Sequence, residues 1–247
     1  WLLDDGTEVL GGRDLRDGGT WLGLSPQGRV AMLTNVRQAE QVPARRSRGE
    51  LVTRWLQSDG DAERFAADTA PAEYGAFNLV VGDFHAGAWH WLGNRDPEAP
   101  HGTQASVLHR RTLGAGIHGL SNASLDTPWP KTLRLKQAVV EALAGVREPG
   151  DTPHWMQPLS RALADGQPAA EGDLPHTGVP DDMERALSSS FVHMPDRAYG
   201  TRSSLVVSAR PGADRGWEVR MDEWTHNHAA LGGSFEALPH RRETLVW

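Results

Sequence analysis

The chain of 247 residues contains no cysteine. That removes disulfides, thiolate metal sites and any thiol nucleophile from within it. Lysine is nearly absent too: of 25 basic residues only Lys131 and Lys136 are lysines. This skew toward arginine, beside abundant alanine and glycine, points to GC-rich coding and says little about mechanism. No run of 18 apolar residues occurs, so no membrane span is expected. Positive charge is in deficit, with a net charge of −7. An acidic body repels phosphate backbones, and the one tight basic run, Arg45-Arg46-Ser47-Arg48, is too short for a nucleic-acid groove. Among motifs, the Walker lysine loop and the Gly-x-Ser-x-Gly elbow are both missing.

What is present suits a folded, sheet-rich protein. Apolar residues make up 38% and charged residues 23%, which argues against disorder. Thr20–Leu24 and Arg29–Thr34 flank Ser25-Pro26-Gln27-Gly28 as a hairpin. Ser47 and Glu50 read as a capping box opening a helix, with a second short helix over Asp61 to Ala70. Phe77–Val81 and Ala88–Leu92 form a second hairpin, and Gly116 to Ser121 reads as a further strand. A helix is expected from Asp126 to about Leu143, then shorter ones over Pro153–Ala164 and Asp181–Leu187 around a loop at 165–180. Ser203–Ala209 and Trp217–Trp224 give a third hairpin. Strand pairs separated by groups of helices indicate antiparallel sheets covered by helices, an α+β layered fold in one domain over residues 1–247. The opening Trp1-Leu2-Leu3-Asp4-Asp5 reads as mid-domain sequence, so first strands are expected upstream.

Three polar residues each end or precede an apolar strand: Asn35, Asn122 and Arg202. Strand ends hold side chains still against a substrate; an Asn amide donates to an oxyanion and Arg binds carboxylate or phosphate in bidentate fashion. Turn chemistry explains the asparagines equally well, and position alone leaves both readings open. His226-Asn227-His228, with His85 or His90, has two histidines that share a face on a strand, yet no carboxylate sits at a ligand spacing, so no metal site is assigned. His193-Met194 lacks any accompanying haem motif and reads as a strand end. Asn94-Arg95-Asp96-Pro97 reads as a turn.

Gly12-Arg13-Asp14-Leu15, Gly18-Gly19-Thr20-Trp21-Leu22-Gly23, Leu33-Thr34-Asn35, Ser47-Arg48-Gly49, Phe77-Asn78-Leu79, Gly119-Leu120-Ser121-Asn122, Leu125-Asp126-Thr127-Pro128-Trp129-Pro130-Lys131 and Tyr199-Gly200-Thr201-Arg202-Ser203 together resemble the NRDE family. This is the family of transport and Golgi organisation protein 2 homologues. The family's Asn-Arg-Asp-Glu motif and the cysteine before it have no counterpart in this chain. The resemblance implies an N-terminal nucleophile hydrolase-like fold, a four-layer αββα sandwich of antiparallel sheets. It implies a small-molecule handling protein with haem or acyl-coenzyme A as ligand and no required cofactor; with no export signal in view and no cysteine pairs, the cytoplasm is the expected location. It also implies an alternative, a cysteine amidase acting on an amide or thioester, with its nucleophile upstream. Asn35, Asn122 and Arg202 match, by order and strand context, the asparagines and arginine that surround the oxyanion and substrate in such enzymes.

Overall fold

Largely buried apolar strands set the larger sheet. In the computed structural model, which describes residues 1–39, 44–99, 104–146, 152–212, 216–226 and 239–247, five antiparallel strands lie in sequence order. They are β1 (Leu22–Leu24), β2 (Arg29–Asn35), β3 (Phe77–Asp83), β4 (Ala88–Arg95) and β5 (Gln104–Thr112). Register places Leu33 opposite Leu79 and Leu79 opposite Leu92, so one face is continuously apolar. Helix α1 (Gly49–Gln57) lays Leu51, Val52, Trp55 and Leu56 on that face, at the spacing that gives a helix one apolar stripe. Burying each of these side chains contributes about 1.5–3 kcal/mol. Helix α2 (Ala62–Ala67) adds Phe65 to the same core and is capped by Asp61, whose carboxylate accepts from Arg64 N–H at 2.9 Å.

The opposite face meets a second sheet. Val30, Leu24 and Phe84 pack with Val219 and Met221 of β9 (Trp217–Thr225), which lies between β8 (Ser203–Pro211) and β10 (His240–Val246). Two packed antiparallel sheets with helices outside make the fold α+β. The outer face of β9 is charged: Asp222, fully buried, accepts from Arg220, Arg242 and His240 at 2.7–2.8 Å. Arg220 also reaches Met156 and the Trp155 ring of α4 (Thr152–Leu163). Helix α3 (Pro130–Gly145) packs on α4, and a short helix α5 (Asp181–Ala186) precedes the two-residue strands β6 (His193–Met194) and β7 (Tyr199–Gly200).

Several sequence expectations need correction. Gly116 to Ser121 is not a strand. Its backbone is pinned by side chains of the large sheet instead: Thr34 Oγ1 donates to Ser121 O at 2.6 Å and Asn78 Nδ2 to Ala123 O at 2.6 Å. The segment then folds back on itself, with Asp126 N–H on Gly119 O and Asp126 at φ +63°. Helix α3 therefore starts at Pro130, where proline's fixed φ suits the first turn. The capping box does not form either, because the Glu50 carboxylate pairs with Arg46 and Ser47 caps nothing with its side chain. Asn94 and Arg95 belong to β4: Asn94 is fully buried, accepting from Phe77 N–H and donating to the turn carbonyls of Pro71, Tyr74 and Gly75.

Candidate functional site: a cationic cavity at the end of the large sheet

Close backbone packing builds one wall. A Cβ on Gly19 would sit 2.5 Å from the Gly49 carbonyl carbon, so two glycines let the lead-in to β1 cross the start of α1. That crossing fixes Arg48, the residue before α1, whose Nη1 donates to Ala76 O at 3.3 Å. The end of β2 forms the second wall. Val36 N–H donates to Ala76 O, Arg37 N–H donates to Asn122 O at 2.7 Å, and Asn122 Nδ2 donates to Asn35 O at 2.9 Å. Met183 of helix α5 and Leu187 just after it close the third side. Between them lies a cavity of about 840 Å³.

Its charge is opposite to that of the whole chain. Arg37, Arg45, Arg46, Arg48 and Lys131 line it, against Asp17 as the acidic lining residue. Glu50 and Glu73 neutralise Arg46, and the buried Glu184 neutralises Arg37. Among the described residues no carboxylate lies within 4.0 Å of Arg45, Arg48 or Lys131. Burial lowers the pKa of the Arg48 guanidinium, the mark of a cation held partly out of water without a carboxylate. Lys131 is pushed down to about 8 by burial and by the nearby Arg37, with Glu184 opposing. Its Nζ donates to Leu187 O at 3.0 Å, the same carbonyl that accepts from Arg37 Nη2, and both cations stand over the Trp129 ring. Asn35 Oδ1 is buried beside the cavity with no hydrogen-bond partner, an acceptor whose desolvation nothing in the chain offsets.

Lys131 also borders a second cavity of about 340 Å³, lined by Leu120, Leu135, Val139 and Leu163 together with His118, Lys136 and Ser190. At its edge Asp126 gathers His118 Nδ1 at 3.0 Å, Gly119 N–H at 2.8 Å and Lys136 Nζ at 3.1 Å. Burial disfavours the Asp126 carboxylate, yet these three donors outweigh it and hold the group at about 2.

Of the residues singled out from sequence, Asn35 and Asn122 meet in the large cavity, joined by their own hydrogen bond. Arg202 does not join them. It is exposed ahead of β8, its carbonyl accepting from His226 N–H at 2.8 Å, and it is not a lining residue. Arg48 and Lys131 lay inside the motif strings without being picked out; Arg37 and Glu184 carried no sequence signal. His226 bonds Ser204 Oγ at 2.9 Å, while Asn227 and His228 lie outside the described residues. No group of three or more His, Cys, Asp or Glu gathers among the described residues. His193 and Met194 form β6 and do not line the cavity.

Fold and site define an antiparallel α+β protein with a cationic cavity sized for a small molecule. Among the described residues no helix is long and apolar enough to cross a membrane. The family profile of Transport and Golgi organisation 2 matches residues 1–223. The chain is 34% identical over 216 residues to the Transport and Golgi organization protein 2 homolog of Bos taurus, covering 81% of this chain and 72% of that protein. It is 31% identical over 245 residues to the Homo sapiens homolog, covering 88% of this chain and 83% of that one. The Mus musculus homolog is 31% identical over 215 residues, 81% of this chain and 72% of its own length. The chain belongs to the Transport and Golgi organisation 2 family.

Proposed function

We propose that this protein binds and hands on an elongated, anionic small molecule in the large cavity, with haem or acyl-coenzyme A as cargo. The observation that carries this reading is the set of cations with no carboxylate partner among the described residues, Arg45, Arg48 and Lys131, in a protein of net charge −7. Haem carries propionates and coenzyme A carries phosphates, so both present the charge that this wall lacks. Guanidinium groups bind such oxyanions as paired donors. Trp21 adds a flat apolar surface to the same wall. Asn35 and Asn122 would contact the bound molecule, and the guanidinium role first expected of Arg202 falls to Arg48. In the same reading, α1 outside one sheet and α4 against the other correspond to the outer layers of an N-terminal nucleophile hydrolase-like αββα sandwich in a single domain, and the protein works in the cytoplasm.

A second reading, a cysteine amidase, is favoured by the meeting of Asn35 and Asn122. It needs a nucleophile from outside these residues, since the chain has no cysteine. Titration with haem followed by absorbance, and with palmitoyl-coenzyme A by displacement of a fluorescent fatty acyl probe, separates the outcomes. Arg48→Ala should weaken binding of the true cargo about 10- to 100-fold, the loss of a charge-assisted hydrogen bond. Affinity should also fall with added salt. If neither molecule binds, or if binding ignores both Arg48 and salt, the proposal is wrong.

A further inference from the structure

The two cavities share one wall residue, Lys131, and its surroundings are unusual for a lysine. Lysine side chains ordinarily point into water or pair with a carboxylate. Here Nζ has Leu187 O as its hydrogen-bond acceptor and the Trp129 ring 5.7 Å away. Of the charged groups that act on it, Arg37 disfavours the ammonium and Glu184 opposes that effect. Arg37 shares its carbonyl, Lys136 and His118 border the smaller cavity, and Glu184 is committed to Arg37 and Thr177. The other lysine of the sequence, Lys136, is ion-paired with Asp126 at 3.1 Å. Desolvation beside a second cation is the arrangement that leaves an amine neutral enough to attack carbonyl carbon.

We infer that Lys131 is a nucleophilic lysine that forms a reversible imine with aldehydes or ketones carrying an anionic group, held where the cationic cavity meets the apolar one. The class of ligand follows from the two ends of the site: Arg48 and Arg45 take the anion, and the amine takes the carbonyl. The neutral amine adds its lone pair to the carbonyl carbon, a C–N bond forms, and a nitrogen proton passes to oxygen to give the carbinolamine. The C–O bond then breaks, the hydroxyl leaves with a second proton as water, and the nitrogen lone pair completes the C=N bond. No electron is gained or lost overall, and no co-reactant is required. The choice of an anionic ligand rests on the proposed function above; the reactivity of the amine does not.

The test incubates the protein at pH 7 with pyridoxal 5′-phosphate or with uncharged pyridoxal, traps imines with borohydride, and maps the adducts by peptide mass. An amine held at about 8 is about one-tenth neutral at pH 7, against about 0.03% for one at 10.5. Labelling of Lys131 should therefore exceed that of Lys136 by about tenfold or more, after allowing for the weaker nucleophilicity of a less basic amine. The adduct should vanish from Lys131→Met. On the unmodified protein, the labelling rate should rise with a midpoint near pH 8. Equal labelling of the two lysines, labelling of neither, or a midpoint above pH 10 overturns the inference. Preferential but equal labelling of Lys131 by both probes supports the nucleophilic lysine and overturns the anionic reading of the cavity.

Discussion

Replacing Glu184 with alanine tests how the helical side of the cavity is held. Its side chain is 1% exposed and that of Arg37 6%. One carboxylate oxygen takes Arg37 Nη1; the other takes the N–H and hydroxyl of Thr177. Deletion strands three buried donors, one of them charged. Breaking a buried ion pair costs about 3–5 kcal/mol, because the remaining charge loses the group that offset its dehydration. In a chain of this size that corresponds to a fall in Tm of about 6–20 °C. Glu184→Gln keeps an acceptor for Thr177 and removes only the charge, so its loss should be smaller. The double variant Arg37→Met/Glu184→Leu should recover most of the stability, since a packed apolar pair leaves no charge to compensate. Thermal and urea unfolding at pH 7 of the wild type, these three variants and the singles Arg37→Met and Glu184→Leu gives the comparison. A fall in Tm below about 3 °C for Glu184→Ala, or a double variant as unstable as both singles added together, would show that the pair does not anchor α5.

Gly19→Ala should lose about 1–3 kcal/mol, since the new Cβ meets the backbone of Gly49 and Glu50 at 2.5–2.9 Å and no flexible side chain can yield; urea unfolding measures it, and cargo affinity should fall with it because the same crossing seats Arg48. The Asp126 carboxyl is held at about 2 in the folded protein against an ordinary 3.8. The folded state therefore binds fewer protons than the unfolded chain in that interval. Its contribution is fully present above about pH 4 and is lost as pH falls toward 2. Asp126→Asn should flatten that part of the stability profile, and an unchanged acid limb in a pH series of melts would refute the assignment.

The three hairpins were legible because apolar strand segments flank turns rich in Gly, Pro and Asp, and these strands are the ones buried in the two packed sheets. The missing strands, β5 and β10, are edges. Edge strands meet water and carry charge, as in Arg110-Arg111 and Arg241-Arg242, so alternation fades where pairing remains. The opposite error at Gly116–Ser121 has a related cause. Ile117 and Leu120 give the look of a strand, but backbone pairing was replaced by Thr34, Asn78 and Asn122 side chains, and no local pattern records which partner a carbonyl will find. At the site, Asn35 and Asn122 were readable as strand-end amides. Arg202 was readable in the same way, and the structure sets it apart from them.

The charge of the site shows why composition misled most at the point of interest. The run Arg45-Arg46-Ser47-Arg48 is too short to bind a polyanion, and the chain as a whole is acidic. Folding changes the arithmetic by bringing that run opposite Lys131 and Arg37, so that five cations face one cavity. Such a cluster repels itself unless something offsets it, and the offset is uneven. Glu50 and Glu73 serve Arg46, Glu184 serves Arg37, and among the described residues the carboxylates stop there. A fold selected only for stability gains nothing from leaving Arg48 half-buried with a backbone carbonyl or Asn35 Oδ1 sealed off without a donor. An oxyanion bound at the guanidinium would offset the first of these defects. On the proposed function, an anionic cargo would supply that counter-charge, and saturating concentrations of it should raise Tm in proportion to the logarithm of ligand excess.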